Sequence, residues 1–103
     1  MAVEKKNWPV DTYLDDTWTD VVSEAATVAN IMVCNTAAEE LVLQLRVDDG
    51  AGNKVATILP PNIVAAGKSS TLNVRVINIT AGQRLQLRAN GAGIEIVASG
   101  VTQ

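Results

Sequence analysis

Carboxylates are the only side chains in this sequence that cluster densely enough to suggest chemistry. Asp15, Asp16 and Asp20 fall within six residues, around Trp18. A carboxylate pair can supply the acid and the base of glycoside hydrolysis. That work needs one member held protonated by burial, and nothing in Asp15-Asp16-Thr17-Trp18-Thr19-Asp20 predicts such a cleft. A second cluster, Asp48-Asp49-Gly50-Ala51-Gly52-Asn53, offers the hard oxygens that calcium prefers. Its spacing differs from the EF-hand loop, and Asp-Gly steps make turns without any ion. Cys34 is the single cysteine and lies in the apolar run 29–34, so it reads as a buried structural thiol rather than a reactive one. Histidine is absent, which removes the commonest general base and the commonest metal ligand. Asn78-Ile79-Thr80 matches a glycosylation sequon but reads as a strand end. Gly67, Gly82 and Gly91 lack the strand–loop–helix setting of a nucleotide site. The expectation is a chain with no catalytic residue, no metal, no cofactor and no small-molecule substrate.

Composition sets the frame in which those residues must be held. With 103 residues, 48% of them apolar and 18% charged, the chain has the size and makeup of one folded domain. A net charge of −3 disfavours nucleic acid, whose phosphates require a basic face. No run of about 18 apolar residues appears, so no membrane partner is expected. The opening Met1-Ala2-Val3-Glu4-Lys5-Lys6-Asn7-Trp8-Pro9 has no apolar core of a secretory signal, which predicts synthesis in a cytoplasm.

The residue types point to strands. Fourteen Val, seven Ile and nine Thr are β-branched and suit a pleated surface. Leu41, Leu43, Leu45 and Val47 share one face and Gln44, Arg46 and Asp48 take the other, the period of a strand with one buried face. The same period sets Leu72, Val74 and Val76 against Thr71, Asn73 and Arg75. It sets Leu85, Leu87 and Ala89 against Arg84, Gln86 and Arg88, and Ile94, Ile96 and Ala98 against Glu95, Val97 and Ser99. Turn residues separate these runs. Pro60-Pro61-Asn62 is expected to stop the strand over 55–59, because proline carries no amide donor. Asn90-Gly91-Ala92-Gly93 is expected to close a hairpin, and residues 36–40 form a turn or a short helical turn. The fold class is all-β: a single antiparallel β-sandwich, jelly-roll or Ig-like, of seven or eight short strands with an N-terminal arm. Its division is 1–24 for the arm or first strand and 25–103 for the sandwich.

Trp8, Tyr13 and Trp18 are the only aromatic residues and all lie in that acidic first segment. Two readings stay open. The segment forms the first strand or an arm that folds Trp18 onto its own sandwich, or it carries Trp8 and Tyr13 to a neighbouring subunit, where aromatics are favoured anchors. If the chain works by packing against neighbours, removal of residues 1–20 is expected to weaken oligomerisation or docking and leave the sandwich folded. Charge is also divided: residues 1–53 hold ten acids and three bases, residues 54–103 one acid and five bases. Arg75, Arg84 and Arg88 fall on wet strand faces and would form a basic patch if their strands are neighbours. Val42, Ile77 and Val97 interrupt otherwise polar faces and complete the candidate interface residues.

The order of segments resembles a known group. Ala29-Asn30-Ile31-Met32-Val33-Cys34-Asn35-Thr36 is followed by Leu41-Val42-Leu43-Gln44-Leu45. Two strands then open on Ala-Gly-polar turns, Ala66-Gly67-Lys68 and Ala81-Gly82-Gln83, and the last strand closes on Ser99-Gly100-Val101. This pattern is similar to the small β-sandwich virion proteins of tailed bacteriophages over residues 25–103. The resemblance implies an architectural role as a capsid decoration protein or a neck or tail collar component. It implies homo-oligomers, contacts with major capsid or neck and tail proteins, a place in the virion and synthesis in the bacterial host cytoplasm. It carries over no catalytic residue. The alternative is a carbohydrate- or cell-surface-binding module that stacks sugars on Trp8, Tyr13 or Trp18.

Overall fold

A computed structural model describes residues 4–10, 13, 16–72 and 76–102. Among them are nine strands: β1 (Lys5–Val10), β2 (Thr19–Val22), β3 (Ala26–Asn35), β4 (Leu41–Asp48), β5 (Lys54–Val64), β6 (Ser69–Leu72), β7 (Ile77–Ile79), β8 (Arg84–Ala89) and β9 (Ile94–Thr102). All pairing is antiparallel, and the strands form two sheets facing each other as a β-sandwich. One sheet runs β1-β9-β3-β6 with β7 also on β3; the other runs β2-β8-β4-β5.

The pairings nest. β4 pairs β5, β3 pairs β6 and β7, β2 pairs β8, and β1 pairs β9. The chain is therefore one long antiparallel ribbon, folded back at the turn after Asp48 and rolled so that β9 meets β3 and β8 meets β4. That is a jelly roll. β6 and β7 occupy successive stretches of the same edge of β3, so nine segments fill eight strand places.

Alternation drives the rolling. Leu41, Leu43, Leu45 and Val47 are buried from β4, Leu85, Leu87 and Ala89 from β8, and Ile94, Ile96 and Ala98 from β9. They meet Val28, Ile31 and Val33 of β3 in one aliphatic core. Each such side chain taken fully from water stabilises the fold by about 1.5–3 kcal/mol.

Several local expectations fail for tertiary reasons. Asn90–Gly93 closes no hairpin, because β8 and β9 belong to opposite sheets and the segment crosses between them. Pro60 and Pro61 lie inside β5 rather than ending it. β5 is a sheet edge, and its register shifts between the pairs Leu43↔Asn62 and Leu45↔Leu59, where the prolines need donate nothing to β4. Val76 lies outside both β6 and β7 and is 62% exposed instead of buried. Val74 lies outside the described residues. Residues 37–39 form a bend rather than a helical turn.

Asn35, fully buried at the end of β3, organises one end of the sandwich. Its Nδ2 donates to the carbonyls of Glu39 and Val64, each at 3.0 Å, and its Oδ1 accepts from Ala37 N at 2.9 Å. Thr36 adds two bonds to the Gly93 carbonyl, from N at 2.8 Å and Oγ1 at 2.7 Å. The Asn-Thr pair that ends this strand thus locks three connections together.

Candidate functional site

The first segment is anchored on its own sandwich. Trp8 sits on β1 opposite Ala98, its ring buried and its Nε1 donating to Glu24 Oε2 at 2.9 Å. Lys6 binds the same Glu24 oxygen. These bonds, Lys6 first and Trp8 second, hold the Glu24 carboxyl below its ordinary value. Tyr13 is buried where β2 has ended and β8 continues. Its hydroxyl donates to the Ala89 carbonyl at 2.9 Å and accepts from Ala89 N at 2.7 Å and Thr17 N at 3.1 Å. One phenol oxygen replaces the missing strand for that residue. Burial removes Trp8 and Tyr13 from any surface in this fold.

Trp18 is half-buried on the outer face of the β2-β8-β4-β5 sheet, with the Arg46 guanidinium 4.0 Å from its ring centre. Arg46 Nε donates to Gln86 Oε1 at 2.9 Å, and Gln86 Nε2 donates to Asp20 Oδ1 at 2.8 Å. Arg46 also lies 3.5 Å from buried Asp48 Oδ1. Gln86 and Asp48, both expected on wet faces, are buried within this network.

The anticipated basic patch is neutralised from within. Arg84 pairs with Asp20 at 2.7 Å and Arg88 with Asp16 at 2.9 Å. Asp16 reaches Arg88 because its backbone takes φ +55°, a left-handed turn that aspartate tolerates. Arg75 lies outside the described residues, and the flanking strands β6 and β7 belong to the other sheet. The linear division of charge therefore closes partly on itself when the first segment meets β8.

Asp48 Oδ2 and Asp49 Oδ1 serve the backbone of their own loop. Asp48 Oδ2 accepts from Gly50 N at 2.7 Å, and Asp49 Oδ1 from Ala51 N at 2.7 Å and Asn53 N at 3.2 Å. The Ala51 amide, followed by the Asn53 side chain, holds Asp49 below its ordinary value. Among the described residues no group of three His, Cys, Asp or Glu is placed to hold a metal. Asp15 lies outside the described residues. Cys34, expected to be buried, is half-buried instead, because the alternation of β3 turns it to the outer face.

The remaining candidates are apolar. Val42, Ile77 and Val97 are half-buried, and Ile77 packs against the core. Among the described residues the large apolar side chains most exposed are Met32 at 49%, Val55 at 51%, Ile63 at 60% and Val76 at 62%. Alternation missed them: Val55 and Ile63 lie on an edge strand, and Met32 in a run too apolar to show a period. Between β5 and β6 lies a cleft of about 120 Å³ lined by Val33, Leu43, Leu59 and Ile63, with Asn62 and Lys68 at its polar rim.

No known family's sequence profile matches this chain, and no curated protein is similar to it in sequence. Solved structures are similar in fold. A chain of the IBDV viral particle aligns over 94% of this chain and 31% of its own, at 10% identity and TM-score 0.53. Two crystal structures of a pentameric capsid protein isolated from metagenomic phage sequences align over 96% of this chain. They do so at 20% and 19% identity, TM-scores 0.47 and 0.43, and 61% and 62% of their own lengths. This chain thus spans about a third of the first match and about three-fifths of the other two.

Proposed function

We propose that this chain is a non-enzymatic structural component of a tailed-bacteriophage particle, acting as a capsid decoration protein or a neck or tail collar component. The observation that carries the reading is the nested jelly roll itself. It encloses an aliphatic core, its charged groups are paired or lie at the surface, and large apolar side chains remain outside. Such a body works through what its surface packs against. Viral capsid domains use this architecture, and the fold shared with the IBDV particle chain supports the reading. Its partners are other copies of itself and the capsid, neck or tail proteins beside it; its place is the virion, after synthesis in the host cytoplasm. Mass spectrometry of purified particles, with electron microscopy of particles made with and without the protein, tests this. The protein is expected as a stoichiometric component; its absence from particles of unchanged form refutes the role.

A second reading, a carbohydrate-binding surface, rests on Trp18, whose ring is pinned by Arg46 yet partly open. Glycan-array binding that is lost in Trp18→Ala, with particle assembly intact, favours it over the architectural one.

A further inference from the structure

The exposed apolar residues fall into two groups that differ in shape. One is a row across three strands on the outer face of the β1-β9-β3-β6 sheet. Val97 stands opposite Met32 on one side and Pro9 on the other. Side chains directly opposite in antiparallel strands share a face, so Pro9, Val97 and Met32 form a continuous apolar row. Met32, unbranched and polarisable, suits an irregular gap. Glu95 lies two residues from Val97 on the same strand and hence on the same face, exposed.

The other group lines the seam where β5 of one sheet and β6–β7 of the other form corresponding edges. The opposite seam is closed by Trp8 and Tyr13, whereas this one leaves Val55, Ile63 and Val76 exposed and holds the 120 Å³ cleft. That volume is close to the ~150 Å³ at which an apolar cavity admits a benzene-sized guest. Residues 54–80 contain Lys54, Lys68 and Arg75 and no acid. Lys68 stands at the rim of the cleft.

We infer that the occupant of this cleft is a second copy of this chain, which seats its Met32–Val97 row against Leu59 and Ile63 and brings its Glu95 to Lys68. The proposal rests on the architectural reading and deepens it by naming the contact between copies. Charge complementarity selects the partner surface: an acid flanks the row, a base flanks the cleft, and residues 54–80 themselves supply no carboxylate. Side chains make the contact rather than strand addition. β5 has three shifts of register and two prolines, which blunt its edge against pairing with another strand. Row and cleft are different surfaces, so the contact is heterologous and propagates to a ring or an array.

Light scattering on the full chain over a concentration series tests the contact. The wild type associates with rising concentration. Met32→Asp and Ile63→Asp, both at exposed positions, each weaken association at least about 30-fold, with melting temperature and circular dichroism unchanged. Mixed one to one, the two variants recover heterodimers, because one retains the cleft and the other the row. Lys68→Glu and Glu95→Lys each weaken association about fivefold and together restore it. Lys54→Glu makes the same charge change at the far end of β5 and leaves association as it was. A wild type that stays monomeric at millimolar concentration overturns the contact, as do single variants that associate normally or a Lys54→Glu effect equal to that of Lys68→Glu. A monomeric chain that is nonetheless found in purified particles refutes this contact and leaves the virion role standing. A chain that associates through it but is absent from particles does the reverse.

Discussion

Replacing Tyr13 with Phe removes a single oxygen from a core that otherwise keeps its shape. That oxygen has three partners: the Ala89 carbonyl, Ala89 N and Thr17 N. They do not lose equally. The Ala89 carbonyl also accepts from Asp16 N at 3.0 Å and keeps that bond, and Thr17 is exposed to water. Ala89 N is different. It is buried at the end of β8 that β2 does not reach, and among the described residues its acceptor is the Tyr13 hydroxyl. An orphaned buried amide costs about 1–3 kcal/mol, so a loss of about 2 kcal/mol is expected. For a domain of this size that lowers the melting temperature by about 8–16 °C. Urea unfolding of both chains measures the free energy, and hydrogen exchange at the Ala89 amide reports the local cause. A change below about 0.5 kcal/mol with the Ala89 amide still protected refutes the argument that the phenol stands in for a strand.

Other perturbations follow from the same geometry. Gly100 lies opposite Val28, beside the bulge between Val28 and Asn30, and a Cβ there would overlap the Thr27 carbonyl. Gly100→Ala is expected to cost about 2 kcal/mol or more in denaturant unfolding, since backbone must shift to admit it. The Glu24 carboxyl is lowered in the folded state, so its contribution is present above the unfolded carboxylate value and lost as pH falls through the folded one. Stability of the wild type therefore drops below about pH 4.3, and in Glu24→Gln that acid slope is shallower in melts between pH 6 and 3. Deleting residues 1–20 removes β1 and takes Trp8 and Tyr13 out of the core. Each such aromatic truncation costs about 3–5 kcal/mol, so the shortened chain is expected to show no cooperative melt by circular dichroism. The expectation from sequence, an arm that can be removed from a folded sandwich, changes because β1 pairs β9 along its whole length.

The fold class was legible because alternation is a local property: Leu41, Leu43, Leu45 and Val47 share a face whatever they pack against. Leu85, Leu87 and Ala89 behave likewise, and these runs alone imply a sandwich of antiparallel strands. Which strands pair was not legible. Asn90-Gly91 has the residues of a hairpin, yet its strands enter opposite sheets, since rolling the ribbon separates β8 from β9 more strongly than a turn joins them. Pro60 and Pro61 carry the residues of a strand end, and only a place at the sheet edge makes them harmless. The candidate interface divided in the same way. Arg84 and Arg88 are visible as wet-face cations, but their pairing with Asp20 and Asp16 spans more than sixty positions of chain. The sequence by itself determined which side chains must leave water, because that depends on each residue and its near neighbours. The tertiary structure alone decided which charges meet and which apolar residues stay outside, because both depend on contacts between segments that composition and spacing leave free.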